Sequence, residues 1–427
     1  MPSSLFQNFI SSFFAPFQSE TFLSTLSLVW SVAPIWAPIA TGALFWYLWT
    51  NYALILFLSK QKMQLLELKI PPEVFKTPYA MELVLSAIHF TFGETTIIDR
   101  LWLGKRRAYF TFEMVSIGGE IHFYIYTRAF LRNHIEAAFY SQYPEIEINE
   151  AEDYSLPFEY IPGGQLSVWG CEFMKTKKAK NGRPQDFYPI KTYVDYGLES
   201  TLLKEEQKVD PLTPLLETLA MCRPGHNLWI QILFQAHRKD LIKPGTFFQK
   251  VDWTDDANRE IDNVLKRAGA VNLSPSGFPI LPQLSEEERK KVTSIERNIA
   301  KLAFNVGIRG VYVTGEEMNG IHIVGLLNAL KQFNAPDKNG FQFTRWHAEW
   351  DWPWQDFRGI RANSRSRRLL DYYKRRAYFY PPYRQKFFVM STEEFATIFH
   401  IPGTSASTPS LSRLTSRRAE PPANLPI

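Results

Sequence analysis

Between Arg358 and Lys386 the chain sets ten Lys or Arg against one acid, Asp371, and threads them with Tyr372, Tyr373, Tyr378, Phe379, Tyr380 and Tyr383. Cations that track phosphates, beside rings that stack on bases, are what single-stranded nucleic acid requires. Arg365, Arg367, Arg368, Lys374, Arg375, Arg376 and Arg384 are the candidate phosphate contacts, with Tyr372, Tyr373 and Tyr380 for the bases. Two other readings of the same residues stand beside it. One is a solvated basic helix whose tyrosines face a core; the other is contact with anionic lipid.

Other chemistry is sparse. His347, Glu349 and Asp351 would point the same way on an extended strand, as a divalent metal needs. The tryptophans among them, Trp346, Trp350, Trp352 and Trp354, read instead as a packed or interface segment, and no metal is expected. His122 and His322 sit in apolar runs and read as core or surface histidines. Cys171 and Cys222 form no metal pair and no disulfide framework, which fits a reducing compartment. The chain has no phosphate-cradling G-x-x-x-x-G-K-[ST], no G-x-G-x-x-G, no G-x-S-x-G and no H-E-x-x-H. Gly307-Ile308-Arg309-Gly310 reads as a turn into a strand. Lys175, Lys177, Lys178, Lys180 and Arg183 read as a solvated loop first and an anionic contact second. No catalytic residue and no cofactor is expected.

Something must hold the basic stretch in place. Aromatic content of 15% and apolar content of 45% supply real cores and exclude a disordered chain. The net charge of +5 is modest, with its excess near the carboxyl end. Residues 64–154 read as α+β. A strand at 65–70 precedes a helix opened by Thr77-Pro78, with Met81, Val84, Leu85 and Ile88 on one face. A hairpin of 108–117 and 120–126 turns at Gly118-Gly119, Thr127 caps a second helix, and 145–149 forms a last strand. That β-α-β-β-α-β order is the ferredoxin-like split unit. Residues 165–346 repeat the rhythm, with strands at 166–174, 227–234, 310–314 and 341–344. Helices are expected there at 211–221, 255–268, 285–304 and 320–333, the third capped by Ser285 ahead of three glutamates. The expected class is therefore α+β, with two ferredoxin-like α/β sandwich modules. An aromatic and basic extension follows at 347–400, then a Pro/Ser/Arg-rich tail at 401–427.

Ahead of this body, Thr21 to Ser59 contains no Asp, Glu, Lys, Arg or His. A membrane span needs about 20 mostly apolar residues. Pro34 and Pro38 suit the first turn of a helix, which puts the transmembrane helix at 35–58. Trp36 then lies near one interface and Lys60 and Lys62 at the other. Residues 1–34 become an extracytoplasmic segment, with 22–32 along the outer interface. Lys60, Lys62 and Lys69 follow a start free of Lys and Arg. Positive charge stays in the cytoplasm, so a single pass through the cell inner membrane is expected, with the amino terminus outside. A cleaved signal peptide fits poorly, because the run is too long and no basic n-region precedes it.

Three stretches carry a resemblance. They are Leu65 to Tyr154, with Pro78-Tyr79-Ala80-Met81-Glu82 and Gly119-Glu120-Ile121-His122-Phe123; Asp210 to Gln231; and Thr392 to His400 with Glu420-Pro421-Pro422-Ala423-Asn424-Leu425-Pro426. Together they resemble the membrane-anchored amino-terminal region, a domain of unknown function, found beside or fused to hexameric P-loop ATPases of type IV secretion and conjugation, especially in Patescibacteria. In that family the Pro-Pro-Ala-Asn-Leu-Pro tail looks like the lead-in to the ATPase core. The chain ends at Ile427, where a Walker motif would be expected, so no nucleotide-binding residue carries over. The resemblance implies a non-enzymatic, membrane-anchored accessory subunit that positions a P-loop ATPase supplied by another chain. From the anchor and the basic stretch, membrane lipid and single-stranded DNA are further expected partners, with a homo-oligomer beside them. A membrane-tethered module binding single-stranded nucleic acid is the alternative, and a split form of a larger ATPase is another.

Overall fold

The computed structural model describes residues 20–403, apart from 72–73, 95, 179–181, 183, 200–208, 240, 243–249, 269–283, 346–351 and 353. The chain divides into two compact units: Met1–Lys60 with Glu94–Arg106, and Gln61–Gly93 with the chain from Arg107 on.

In the smaller unit, α1 (Glu20–Ser31) leads into α2 (Ala33–Ser59). Pro34 occupies the first turn of α2, where a missing N–H leaves nothing unsatisfied, while Pro38 lies inside the helix. Ala53 and Leu54 are the buried residues of α2, and its large apolar side chains, Ile39, Leu44, Phe45 and Ile55 among them, are exposed. Among the described residues this one helix is long and apolar enough to cross a membrane, and the expected span lies within it.

The larger unit is built on a sheet of nine strands. They are β1 (Met63–Lys69), β2 (Phe110–Ile117), β3 (Glu120–Arg128), β4 (Glu147–Glu150), β5 (Ser167–Lys175), β6 (His226–Ala236), β7 (Ala303–Thr314), β8 (Phe341–Arg345) and β9 (Phe388–Ser391). The order is β8-β5-β7-β6-β2-β3-β1-β4, with β9 on the free front half of β7, and every neighbouring pair is antiparallel. Each half runs fourth, first, third, second in its own strand count. The halves meet edge to edge through β2 and β6, from Phe110 opposite Phe234 to Ile117 opposite Asn227. The two expected modules thus share one sheet.

One face carries α3 (Pro78–Ala87), α4 (Arg132–Gln142), α5 (Thr213–Ala220), α8 (Gly320–Asn328) and α10 (Thr392–Ile398) over a common core. A separate pair, α6 (Trp253–Arg267) and α7 (Glu286–Ile299), packs with Phe187 and Tyr188. On the opposite face α9 (Ile360–Lys374) lays Leu369, Leu370, Tyr372 and Tyr373 over Val115, Trp229, Val311 and Val313.

Several expectations change. Thr127 is the penultimate residue of β3, and α4 begins at Arg132 after the short turn Ala129–Leu131. Thr77 stands at the N-cap of α3, but its hydroxyl makes no capping bond. Helix α7 ends at Ile299, and α8 ends at Asn328 ahead of the turn Lys331–Phe333. Gly307 to Gly310 is no turn but the middle of β7, which starts seven residues earlier than the alternation suggests. Glycine is needed there for close approach: a Cβ on Gly307 would lie 2.1 Å from the buried ring of Tyr378. The extension after Trp346 supplies β9 and α10, and all seven residues of α10 are buried. It is an integral part of the core.

Candidate functional site

Helix α9 organises the basic stretch. Gly359 precedes it in the left-handed region, and the Asp356 carboxylate accepts from the Arg361 and Ala362 amides at 2.7 and 2.8 Å, satisfying two otherwise orphaned donors. Ser366, Leu369, Leu370 and Tyr373 recur at helical spacing on the buried face. Arg367, Arg368, Lys374 and Arg375 are left on the flank. Facing them, the loop over 156–162 brings up Leu156, Phe158, Tyr160 and Ile161, and a groove of about 720 Å³ lies between. Lys374 Nζ donates to the Leu156 carbonyl at 3.2 Å, and Tyr160 donates to Asn363 Oδ1 at 2.8 Å, tying the two walls together.

Four cations line the groove with two carboxylates, Asp371 and Glu159. Asp371 is engaged, bonded by Arg375 Nε at 2.9 Å and by the Tyr383 hydroxyl at 2.5 Å. Burial pushes its carboxyl up, but these two donors outweigh that and hold it below the usual range. The groove is therefore cationic with half-buried rings at its rim, and its volume falls within the range of ligand sites. It can hold an anion through several guanidinium and ammonium groups at once.

The other expected contacts go elsewhere. Tyr372 and Tyr373 are buried and cannot present a face to bases. Tyr373 stacks on Trp229 with centroids 5.1 Å apart, and its hydroxyl meets that of Tyr154 at 2.7 Å. Arg376 is equally buried. Its Nε and Nη2 reach the two oxygens of Glu113 at 3.0 and 3.2 Å, Nη1 bonds Asp153, and the guanidinium lies 4.5 Å over the Tyr126 ring. Tyr380 is half-buried and donates to Gln235 Oε1 at 2.9 Å. Arg365 is half-buried on α9, and Arg384 is exposed outside the groove. For Tyr372 and Tyr373, the rings are turned to the core.

Strand register explains what Arg376 meets. Asn149, Glu67, Tyr124, Glu113, Gln231, Arg309, Glu172 and Thr344 stand opposite one another in turn across eight strands. Directly paired residues share a face, so a polar row crosses the sheet. The extension answers it. Arg376 neutralises Glu113, and Arg309, held 4.9 and 5.2 Å from the rings of Tyr372 and Tyr378, donates to the Ala377 carbonyl.

Elsewhere, Lys175 is not solvated. It is buried against Glu394 at 2.8 Å, while Lys177 lies 4.4 Å over the ring of Tyr188, and Lys180 and Arg183 fall outside the described residues. His347, Glu349 and Asp351 also fall outside them. Among the described residues no group of three or more His, Cys, Asp or Glu could hold a metal ion. His122 Nδ1 bonds the Glu67 carboxylate at 2.9 Å, and His322 is buried beside His226. Cys171 and Cys222 are both free and buried.

Residues 71–413 match the family described as Domain of unknown function (DUF8128). The chain belongs to that family. The match takes in the whole sheet beyond β1, and both walls of the groove. No curated protein matches the chain. Nothing in the match links it to secretion ATPases.

Proposed function

We propose that this DUF8128 protein is a membrane-anchored, non-enzymatic binding body that holds single-stranded nucleic acid in the α9 groove. The observation that carries this is the line of Arg367, Arg368, Lys374 and Arg375 along one wall, facing a loop that brings Phe158 and Tyr160 to the other. Guanidiniums at the rim take phosphates, and half-exposed rings take base edges and faces. The anchor is α2, crossing the inner membrane once with its Lys60 end in the cytoplasm. Each half of the sheet is read as a ferredoxin-like split unit, the two being copies of one fold; their common strand order and antiparallel pairing support this.

Binding of a labelled single-stranded oligonucleotide by the full chain, titrated with salt, tests the reading. Wild-type affinity should fall steeply with salt, and each phosphate contact removed should reduce the log–log slope by about 0.7. The double variant Arg367→Ala, Arg368→Ala should bind weakly with a shallower slope. Binding equal to wild type at every salt concentration would defeat the proposal, and preference for anionic vesicles over oligonucleotide would reassign the groove to lipid.

The accessory role beside a P-loop translocation ATPase is the second reading, favoured by the anchor and by the stretches at Asp210 to Gln231 and Thr392 to His400. Its tail motif, Glu420 to Pro426, lies outside the described residues. Co-purification of such an ATPase with the full chain would support it, and its absence from the purified complex would count against it.

A further inference from the structure

Residues 94–106 group with the N-terminal helices rather than with the sheet between whose strands they occur in sequence. They form a finger against α2. Gly104 has φ +64, and a Cβ there would come within 2.3–2.5 Å of the backbone of Ala53 and Leu54, so glycine lets the two backbones touch. Trp102 packs on Trp49 with ring centroids 4.8 Å apart and reaches Trp46 at 6.3 Å. At about 1.5 Å of rise per residue, Trp49 and Ala53 lie about 15 and 9 Å along the axis from Ser59. A hydrocarbon core spanned by about 20 residues centred on α2 includes both positions.

The finger also looks built for lipid. Ile97, Ile98, Trp102 and Leu103 are 74, 66, 46 and 47% exposed, and Trp102 meets Trp46, itself exposed on α2. Several of its polar groups bond within the finger. Thr96 Oγ1 and Asp99 bond reciprocally at 2.8 and 3.0 Å, Leu103 N–H closes a wide helical turn onto the Ile98 carbonyl at 3.0 Å, and Lys105 N–H meets the Asp99 carbonyl at 2.8 Å. Backbone saved from bare exposure is what the edge of a bilayer demands. Lys105, paired with Asp99 at 2.9 Å, and Arg106, bonded to the Arg100 carbonyl at 2.8 Å, keep positive charge at the base, where headgroups would lie.

We infer that 96–104 is a second membrane element, an interfacial finger that inserts Ile97, Ile98, Trp102 and Leu103 into the leaflet on the Lys60 side of α2. The inference rests on α2 being the membrane anchor, and the test separates the two. Cys171 and Cys222 are buried, so added exposed cysteines are the reactive sites. Spin labels are placed singly at Ile97→Cys, Leu103→Cys, Leu44→Cys in α2 and Glu287→Cys at the start of α7, in the full chain reconstituted in phosphatidylcholine–phosphatidylglycerol nanodiscs. Accessibility to oxygen relative to a water-soluble nickel complex is then measured.

Labels at Ile97 and Leu103 should follow Leu44, with a ratio severalfold above that at Glu287. If Leu44 keeps the high ratio while Ile97 and Leu103 match Glu287, the finger is wrong and the anchor stands. A low ratio at Leu44 overturns both. Labels shielded from both reagents would mean that protein, not lipid, covers the finger, which also overturns the inference. Gly104→Val should lower the Ile97 ratio to that of Glu287 without changing Leu44; an unchanged ratio would contradict docking through Gly104.

Discussion

Arg375 and Arg376 are adjacent in sequence and opposite in role. Arg376 adopts φ 48, which turns the chain out of the helix and drives its guanidinium inward to Glu113, itself fully buried. Removing one partner of a buried pair leaves the other charge uncompensated, at a cost of about 3–5 kcal/mol. Arg376→Ala should therefore lower stability by that order in urea denaturation. Arg375, exposed and paired with Asp371 across one helical turn, should cost under about 1 kcal/mol and weaken oligonucleotide binding instead. Similar urea midpoints for the two variants would contradict this division.

Asp153 adds a pH signature. Burial raises its carboxyl, yet hydrogen bonding and charge from Arg376 outweigh that and hold it below its ordinary value. The unfolded chain titrates near about 3.9. Its contribution is thus complete above that pH and is lost as pH falls through the lower folded value. Asp153→Asn should reduce the pH dependence of the urea midpoint below about pH 4; an unaltered slope would show that the pair contributes nothing. None of these partners was legible from sequence, because Glu113 reads as one more residue of an alternating strand.

At the scale of elements, apolar runs, alternation and helical spacing located most strands and helices to within a few residues, because each is a local pattern bounded by turn or capping residues. Strand β7 resisted because two glycines, Gly307 and Gly310, interrupt it and read as a turn; β6, buried just as completely but without glycine, did not. Those glycines accommodate Tyr378 and Leu326. Alanine is a better strand former than glycine by propensity alone, so intrinsic preference predicts that Gly307→Ala stabilises. The Tyr378 ring, buried and bonded to the Lys386 carbonyl at 2.5 Å, has no room to retreat. The expected result is a loss of about 1–3 kcal/mol from overpacking, read in the same denaturation assay. A gain would mean that the ring moves freely. The groove wall over 156–162 was missed because its partner helix lies some two hundred residues away in sequence, with no local pattern to announce it.

For the molecule as a whole, the β2–β6 junction and α10 matter most. A single apolar cluster runs from Leu66 in β1 to Phe399 beyond α10, with Phe112 stacked on Phe399 at 4.2 Å and Phe234 edge-on to Phe395 at 4.7 Å. Both halves and the extension contribute to it. The sheet-bearing unit should accordingly unfold in one cooperative calorimetric transition, with van't Hoff and calorimetric enthalpies equal. Two resolved transitions would restore a picture of independent modules. Deleting the chain from Thr392 onward should abolish that transition.

The amino-acid order by itself determined the apolar helix near the start, the two α+β rhythms and the concentration of positive charge near the end, because each is a local periodicity or composition. Only the tertiary structure decided that the two rhythms share one sheet, that the extension completes its core, and which cations remain outside. Those outcomes depend on strand register and on pairings between distant residues. A polar side chain in a strand shows its alternation in the sequence, but its partner is set by the neighbouring strands.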